Sequence, residues 1–166
     1  MTQEQQIAEI FEDASHKISD VLPSDWAQQT RIMASDVSPI PGKFSYENSP
    51  YLREIVDCLS PGHDARVVAV MKGAQIGFST GVIENGIGWI ISQAPGNIMF
   101  NVGHEELVEE AMTKVDKMID SCGLRSLIRS SIKRARNMKT GDTGKRKEFS
   151  GGYLVVGFPN PKTYRS

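Results

Sequence analysis

A chain of 166 residues, 39% hydrophobic and 23% charged, is long enough for one sizeable core and too short to carry a second catalytic domain beside it. Its polar start, Met1 to Gln6, lacks the basic-then-apolar layout of a signal peptide, and no apolar run approaches a membrane span, so a cytoplasmic protein is expected. The net charge of −1 hides an asymmetry: nine of the 19 Lys and Arg lie between Arg125 and Lys147 against the single acid Asp142, a local +8 that leaves −9 for the rest.

Ile7, Ile10, Phe11, Ala14, Ile18 and Val21 recur at helical spacing and predict an amphipathic helix over residues 3–22, with an apolar stripe that fits packing on its own domain. Pro23-Ser24-Asp25 ends it and opens a second helix, with Trp26, Ile32 and Met33 as apolar members, to about Ser35. The expected organisation is therefore N-terminal helices over residues 1–36 and one nucleotide-binding unit over 37–166. Ser38-Pro39-Ile40-Pro41-Gly42 and Lys43–Asn48 read as irregular chain, and Ser49-Pro50 opens a short helix, Tyr51–Leu59. Pro61-Gly62 turns into Val67–Met71, five apolar residues without alternation, the pattern of a strand buried on both faces of a parallel sheet.

Val82, Ile83, Ile87, Ile90 and Ile91 mark a helix to about Gln93, in which Gly86 and Gly88 predict close packing on the sheet. Asn97–Val102 is a second apolar strand, so strand, helix and strand make a right-handed βαβ unit. A long helix over about Glu105–Ser121 is stopped by Gly123, and a shorter one reaches about Ser130. Lys133–Lys147 reads as a loop or hairpin arm, and Lys147–Phe149 with Tyr153–Phe158 as a hairpin that Pro159 and Pro161 break. Cys58 and Cys122 stand far apart, as do His16, His63 and His104, so neither set suggests a zinc site, and both thiols are expected to be reduced packing residues.

Arg66–Thr80 carries the chemistry. Set against G-x-x-x-x-G-K-[ST], it matches at Gly77 and at Ser79, but Phe78 stands at the lysine position and Lys72 at the first glycine position. Such a loop wraps phosphates with its backbone N–H groups and has both ends near the β- and γ-phosphates, so an ammonium on Lys72 reaches the same anion from the other side. Gly77 permits close approach of the backbone, and Ser79, or alternatively Thr80, offers a hydroxyl to Mg²⁺. As a bare pattern the match occurs by chance in many chains, and its weight comes from an apolar run before it and a helix after it.

Trp26-Ala27…Arg31, Ser38-Pro39…Pro41-Gly42, Ser49-Pro50-Tyr51-Leu52-Arg53-Glu54-Ile55-Val56-Asp57, Met71-Lys72-Gly73-Ala74-Gln75-Ile76-Gly77 and Phe149-Ser150-Gly151-Gly152 follow one another in an order that resembles the large terminase subunit of tailed phages, lambda-type branch. The resemblance covers roughly residues 24–166, and the loop and the Pro-Tyr helix are its specific parts. It implies an α/β, RecA-like P-loop fold, incomplete here and preceded by helices, belonging to an ATPase that drives double-stranded DNA into the capsid. It accounts for the displaced lysine.

Carried over, the resemblance implies an ATP and Mg²⁺ site over Lys72, Gly73, Ala74, Gln75, Ile76, Gly77, Phe78, Ser79 and Thr80. Lys72 would sit on the β/γ-phosphates, Gln75 toward the γ-phosphate, Ser79 or Thr80 on the metal, and Tyr51, or else Tyr46, against adenine. Tyr51 also fits an apolar helical stripe, where packing is its simplest role. Implied partners are double-stranded DNA, the small terminase subunit, the portal and procapsid, and further copies of the full-length chain, with no membrane. The apolar stripe of the 3–22 helix, unless it packs on its own domain, would dock the small subunit.

From the residues themselves, Lys133, Arg134, Arg136, Lys139, Lys145, Arg146 and Lys147 are expected to contact a DNA backbone without reading bases. In the family it resembles, a strand ending in Asp-Glu would come just after Asn160–Ser166; none is present, so the catalytic residues are unknown, and the chain is expected to stop shortly before that strand, to bind nucleotide weakly if at all and not to turn it over. The rival reading is a non-catalytic nucleic-acid-binding or assembly module. A small P-loop kinase is disfavoured by the displaced lysine.

Overall fold

The computed structural model describes residues 20–36, 38–129, 132–134, 138–140 and 144–159, of which 132–134 and 138–140 are described as backbone only. The expected helix over 3–22, with its docking stripe, and the segment from Asn160 onward lie outside the described residues.

Helix α1, Pro23–Thr30, begins with proline at its first position, where a missing N–H costs nothing. Its N-terminus is capped from another element: the Ser24 N–H and hydroxyl donate to the two Asp57 carboxylate oxygens, each at 2.8 Å. Asp57 ends helix α2, Tyr51–Asp57, so the cap also locks the two helices together.

The second helix is shorter than its periodicity predicts. Arg31 is extended, and Ile32–Met33 form strand β1, paired antiparallel with strand β2, Gly42–Lys43. The proline-rich turn between them folds the chain back and Gly42 adopts φ +118°, so a ladder partner outweighs helix propensity at Ile32 and Met33.

A larger correction concerns Val67–Met71. The run forms no strand, and Val67 is 85% and Met71 101% exposed, with Val68 and Val70 exposed as well. A strand exists through its ladder, and among the described residues nothing pairs with this run. The expected βαβ unit is therefore not formed.

After the loop over residues 72–78, a π-helical turn, Ser79–Glu84, runs into helix α3, Asn85–Gln93. Gly86 and Gly88 do mark close packing, but on helices rather than on the sheet. A Cβ on Gly86 would lie 2.4 Å from Leu59, and one on Gly88 would lie 2.3 Å from Trp26.

Strand β3, Ile98–Asn101, is followed by helix α4, Leu107–Ser121, which ends at Gly123 in the left-handed conformation (φ +68°) and passes into a 3₁₀ turn, Leu124–Leu127. The backbone of β4, Ile132–Arg134, and β5, Met138–Thr140, forms an antiparallel ladder in the basic stretch. Strands β6, Arg146–Phe149, and β7, Gly152–Gly157, make the expected hairpin.

The three-stranded sheet has the order β3-β7-β6, with β3 and β7 parallel, so the parallel pair is joined through α4 instead of α3. Gly152 is required where β7 passes the loop that leads from α3 into β3, because a Cβ there would lie 2.3 Å from the Gly96 carbonyl oxygen. Trp26, Trp89, Leu52, Val115, Met118 and Leu154 form the centre of one core between the sheet and the helices.

Candidate functional site

Two residues before the helix the backbone turns sharply. Gln75 and Gly77 both take positive φ, +57° and +76°, and the first helical bond of the loop closes from the Gly81 N–H to the Gly77 carbonyl at 2.7 Å. Glycine does this freely. Glutamine pays about 1–2 kcal/mol for it, and strain held at an exposed loop is a mark of a functional turn.

The loop forms one wall of a polar groove of about 500 Å³. Gln75, Ile76, Gly77 and Thr80 face Lys43 of β2, Ser38–Ile40, Ser45, Asn48, Ser49 and Tyr51 across it. Among the described residues no carboxylate lines the groove, and Lys43 is the one cation that does.

The structure separates the two tyrosines. Tyr46 is buried: its hydroxyl donates to the Gly81 carbonyl at 2.6 Å and accepts from the Asn85 amide at 3.2 Å, while its ring meets Phe44 edge-on at 4.8 Å. Burial pushes its phenol up to about 12. A ring so enclosed has no face for adenine. Tyr51, expected to pack, is instead half exposed at the mouth of the groove, and its hydroxyl donates to the Ile76 carbonyl at 3.0 Å.

Lys72 is exposed and stands off the groove wall. Its ammonium lies 3.3 Å from the Gly73 carbonyl and 5.5 Å from the centre of the Phe78 ring, so the lysine and the residue that took its usual position remain neighbours. Gly73 and Ala74 are exposed between Lys72 and the strained turn.

The two hydroxyl candidates diverge. Thr80 lines the groove and contacts the Glu84 carboxylate at 3.4 Å, whereas Ser79 opens on the opposite side, into a cavity of about 180 Å³ near Glu84, Glu110 and Lys114. Both carboxylates there are engaged. Glu84 pairs with Arg31, both buried, and Glu110 pairs with Lys114 at 2.6 Å, which holds the Glu110 carboxyl below its ordinary range.

The basic stretch divides in the same way. Lys147 is a correction: it is 3% exposed and its ammonium lies 2.9 Å from Asp116, so it is a buried partner of α4 and not a DNA contact. Arg146 is half-buried, paired with Glu148 at 2.9 Å and stacked 4.0 Å above Tyr153. Lys145 is 66% exposed, with Glu105 at 3.7 Å. The β4–β5 register puts Lys133 opposite Lys139; Arg134 lies opposite Met138, and Arg136 lies outside the described residues.

Among the described residues no three His, Cys, Asp or Glu side chains gather as a metal site, and both cysteines are free thiols. Burial pushes the Cys122 thiol up, away from reactivity. No helix among them is long and apolar enough to cross a membrane.

Residues 38–166 match the family described as phage terminase large subunit gpA, ATPase domain. The chain belongs to that family. The match takes in the groove, the strained loop, α4 and the β6–β7 hairpin, and it assigns this terminase chain to phage DNA packaging by an ATPase at a coarse level. No curated protein and no solved structure matches the chain. Residue types could have pointed to Lys43 and the serines of the groove only through the turn at Pro39 and Pro41, since nothing in their spacing places them opposite the loop.

Proposed function

We propose that this terminase chain holds ATP between the phosphate loop and the Ser38–Tyr51 wall, as the nucleotide-binding part of a motor that moves double-stranded DNA into a capsid. The observation that carries the reading is the groove: about 500 Å³, free of carboxylates, and walled by a loop in which Gln75 and Gly77 hold positive φ. That volume suits a nucleotide, and backbone amides, hydroxyls and one lysine suit its phosphates and ribose. Of the two rings on the groove, Phe44 packs edge-on against Tyr46, and the exposed Tyr51 is the one assigned to adenine.

Mg²⁺ would supply charge neutralisation on the phosphates, held by the Thr80 hydroxyl on the groove side or by Ser79. Lys72 would swing from the Gly73 carbonyl and the Phe78 ring to the phosphates, a rotation that an exposed lysine makes at little cost. Turnover by these residues alone is expected to be slight, because Glu84 and Glu110, the carboxylates nearest the loop hydroxyls, are held by Arg31 and Lys114 and do not orient a water.

The DNA-facing surface is assigned to Lys133, Lys139 and Lys145. The register sets Lys133 and Lys139 opposite each other in a stretch that carries nine of the 19 Lys and Arg, and such a density of positive charge suits a phosphate backbone. The small subunit, portal and other copies of the chain are proposed as partners in the bacterial cytoplasm.

A fluorescent ATP analogue titrated with Mg²⁺ tests the nucleotide reading. Binding should be lost in Lys72→Ala and kept in Phe78→Ala. Absence of binding in the unaltered chain at millimolar nucleotide would overturn it.

A further inference from the structure

We propose that Lys43 is a second phosphate-binding cation of this site, reaching the nucleotide from the wall opposite the loop; the inference rests on the nucleotide reading above. Lys43 is exposed on β2, lines the groove, and among the described residues its ammonium has no ion-pair or hydrogen-bond partner. Every other charged residue near the loop is either engaged or off the groove. Lys72 contacts the Gly73 carbonyl and the Phe78 ring, Arg31 is buried against Glu84, and Arg53 pairs with Asp25.

Position gives the lysine its ligand. The β1–β2 ladder fixes Lys43 opposite Ile32, with Met33 of the same ladder on the groove wall, so the stem rises from a short paired element and not from a free loop. Its neighbours on that wall, Ser38, Ser45, Asn48 and Ser49, supply hydroxyls and an amide but no acid. A lone ammonium in such a setting favours an anion that also carries hydrogen-bonding oxygens, and a polyphosphate held at its other side by Gln75, Gly77 and Thr80 fits that chemistry. The resulting clamp takes one cation from each wall: Lys72 once it has turned inward, and Lys43 where it already stands. It also offers a reason for the lysine displaced from position 78, since the groove has a cation of its own.

The test compares ATP, inorganic tripolyphosphate and adenosine on the unaltered chain and on Lys43→Gln, Lys43→Arg and Lys72→Ala. Lys43 is exposed and pairs through its backbone, so these variants should fold as the parent does, which thermal melts verify. Lys43→Gln is expected to weaken ATP and tripolyphosphate by roughly tenfold or more, the scale of a charge-assisted hydrogen bond, with adenosine unchanged and Lys43→Arg largely restored. Unchanged ATP affinity in Lys43→Gln, with loss in Lys72→Ala, would overturn the role of Lys43 and leave the nucleotide site standing. An equal loss for adenosine would overturn it too, because the effect would then lie in the wall and not in the phosphates. If the unaltered chain bound neither ATP nor tripolyphosphate, both readings would fall together.

Discussion

Arg31 and Glu84 form an ion pair in the interior, 2% and 6% exposed at their side chains, that joins the end of α1 to the π-helical turn behind the phosphate loop. Glu84 also accepts from Thr80 on the groove wall, so the pair ties the loop's helix to the β1–β2 side of the site. One guanidinium nitrogen of Arg31, Nη1, is buried without a partner, which raises the desolvation cost of the pair.

Removing one member should therefore hurt more than removing both. Arg31→Met is expected to cost about 3–5 kcal/mol, because it leaves a buried carboxylate uncompensated, while Arg31→Met with Glu84→Met should recover most of that loss. Urea unfolding of the parent, the single and the double variant measures it. Equal destabilisation in the single and the double variant would contradict the account.

Tyr46 and Tyr51 should separate stability from binding. Tyr46→Phe removes the hydroxyl that bridges the Gly81 carbonyl and the Asn85 amide, leaving their direct contact at 3.4 Å, and is expected to cost about 1 kcal/mol, whereas Tyr51→Phe, at an exposed bond, should leave the melting temperature nearly unchanged. Tyr51→Ala should weaken nucleotide binding without unfolding the chain. Calorimetry for stability and analogue titration for binding check both halves.

The raised phenol of Tyr46 gives a pH signature. Its folded value of about 12 exceeds the ordinary value of 10.0, so the folded state keeps the proton that the unfolded chain releases. The sign follows: its contribution is intact below pH 10 and is lost as pH rises from 10 toward 12. Tyr46→Phe should flatten stability across that window, and denaturant midpoints at stepped pH read it out.

Gln75→Gly removes a side chain from a left-handed position and should stabilise the loop by up to about 1 kcal/mol. Gln75→Val, β-branched at the same φ, should destabilise it by more. Thermal melts rank the three, and a neutral valine substitution would show that the turn relaxes.

The basic surface should divide by burial. Lys147→Ala is expected to lower stability, since it leaves Asp116 facing Arg125 alone in the part-buried cluster. Lys145→Ala, at an exposed side chain, should weaken duplex binding uniformly across sequences and reduce the salt slope by about one without moving the melting temperature, and Lys133→Ala and Lys139→Ala should weaken binding in the same way. Binding isotherms at several salt concentrations decide it.

Local chemistry was legible in the sequence wherever it acts over a few residues. Proline at the starts of α1 and α2, glycine after α4, the turn at Gly151, and the loop between Lys72 and Ser79 all follow from backbone rules that need no distant partner. Close packing at Gly86 and Gly88 was legible as well, but its partners were not. Tertiary structure decided what depends on a second segment. Val67–Met71 reads as a buried strand and yet stands exposed, because apolar residues make a strand only when a ladder meets them. Ile32 and Met33 read as helix and pair with Lys43 and Gly42 because the turn between them brings a partner within reach. The burial of Tyr46 against the exposure of Tyr51, the different cavities that Thr80 and Ser79 line, and the division of Lys145 from Lys147 belong to the same class. Sequence spacing states which residue types stand near each other along the chain, whereas which side of a wall each one faces is settled by what packs behind it.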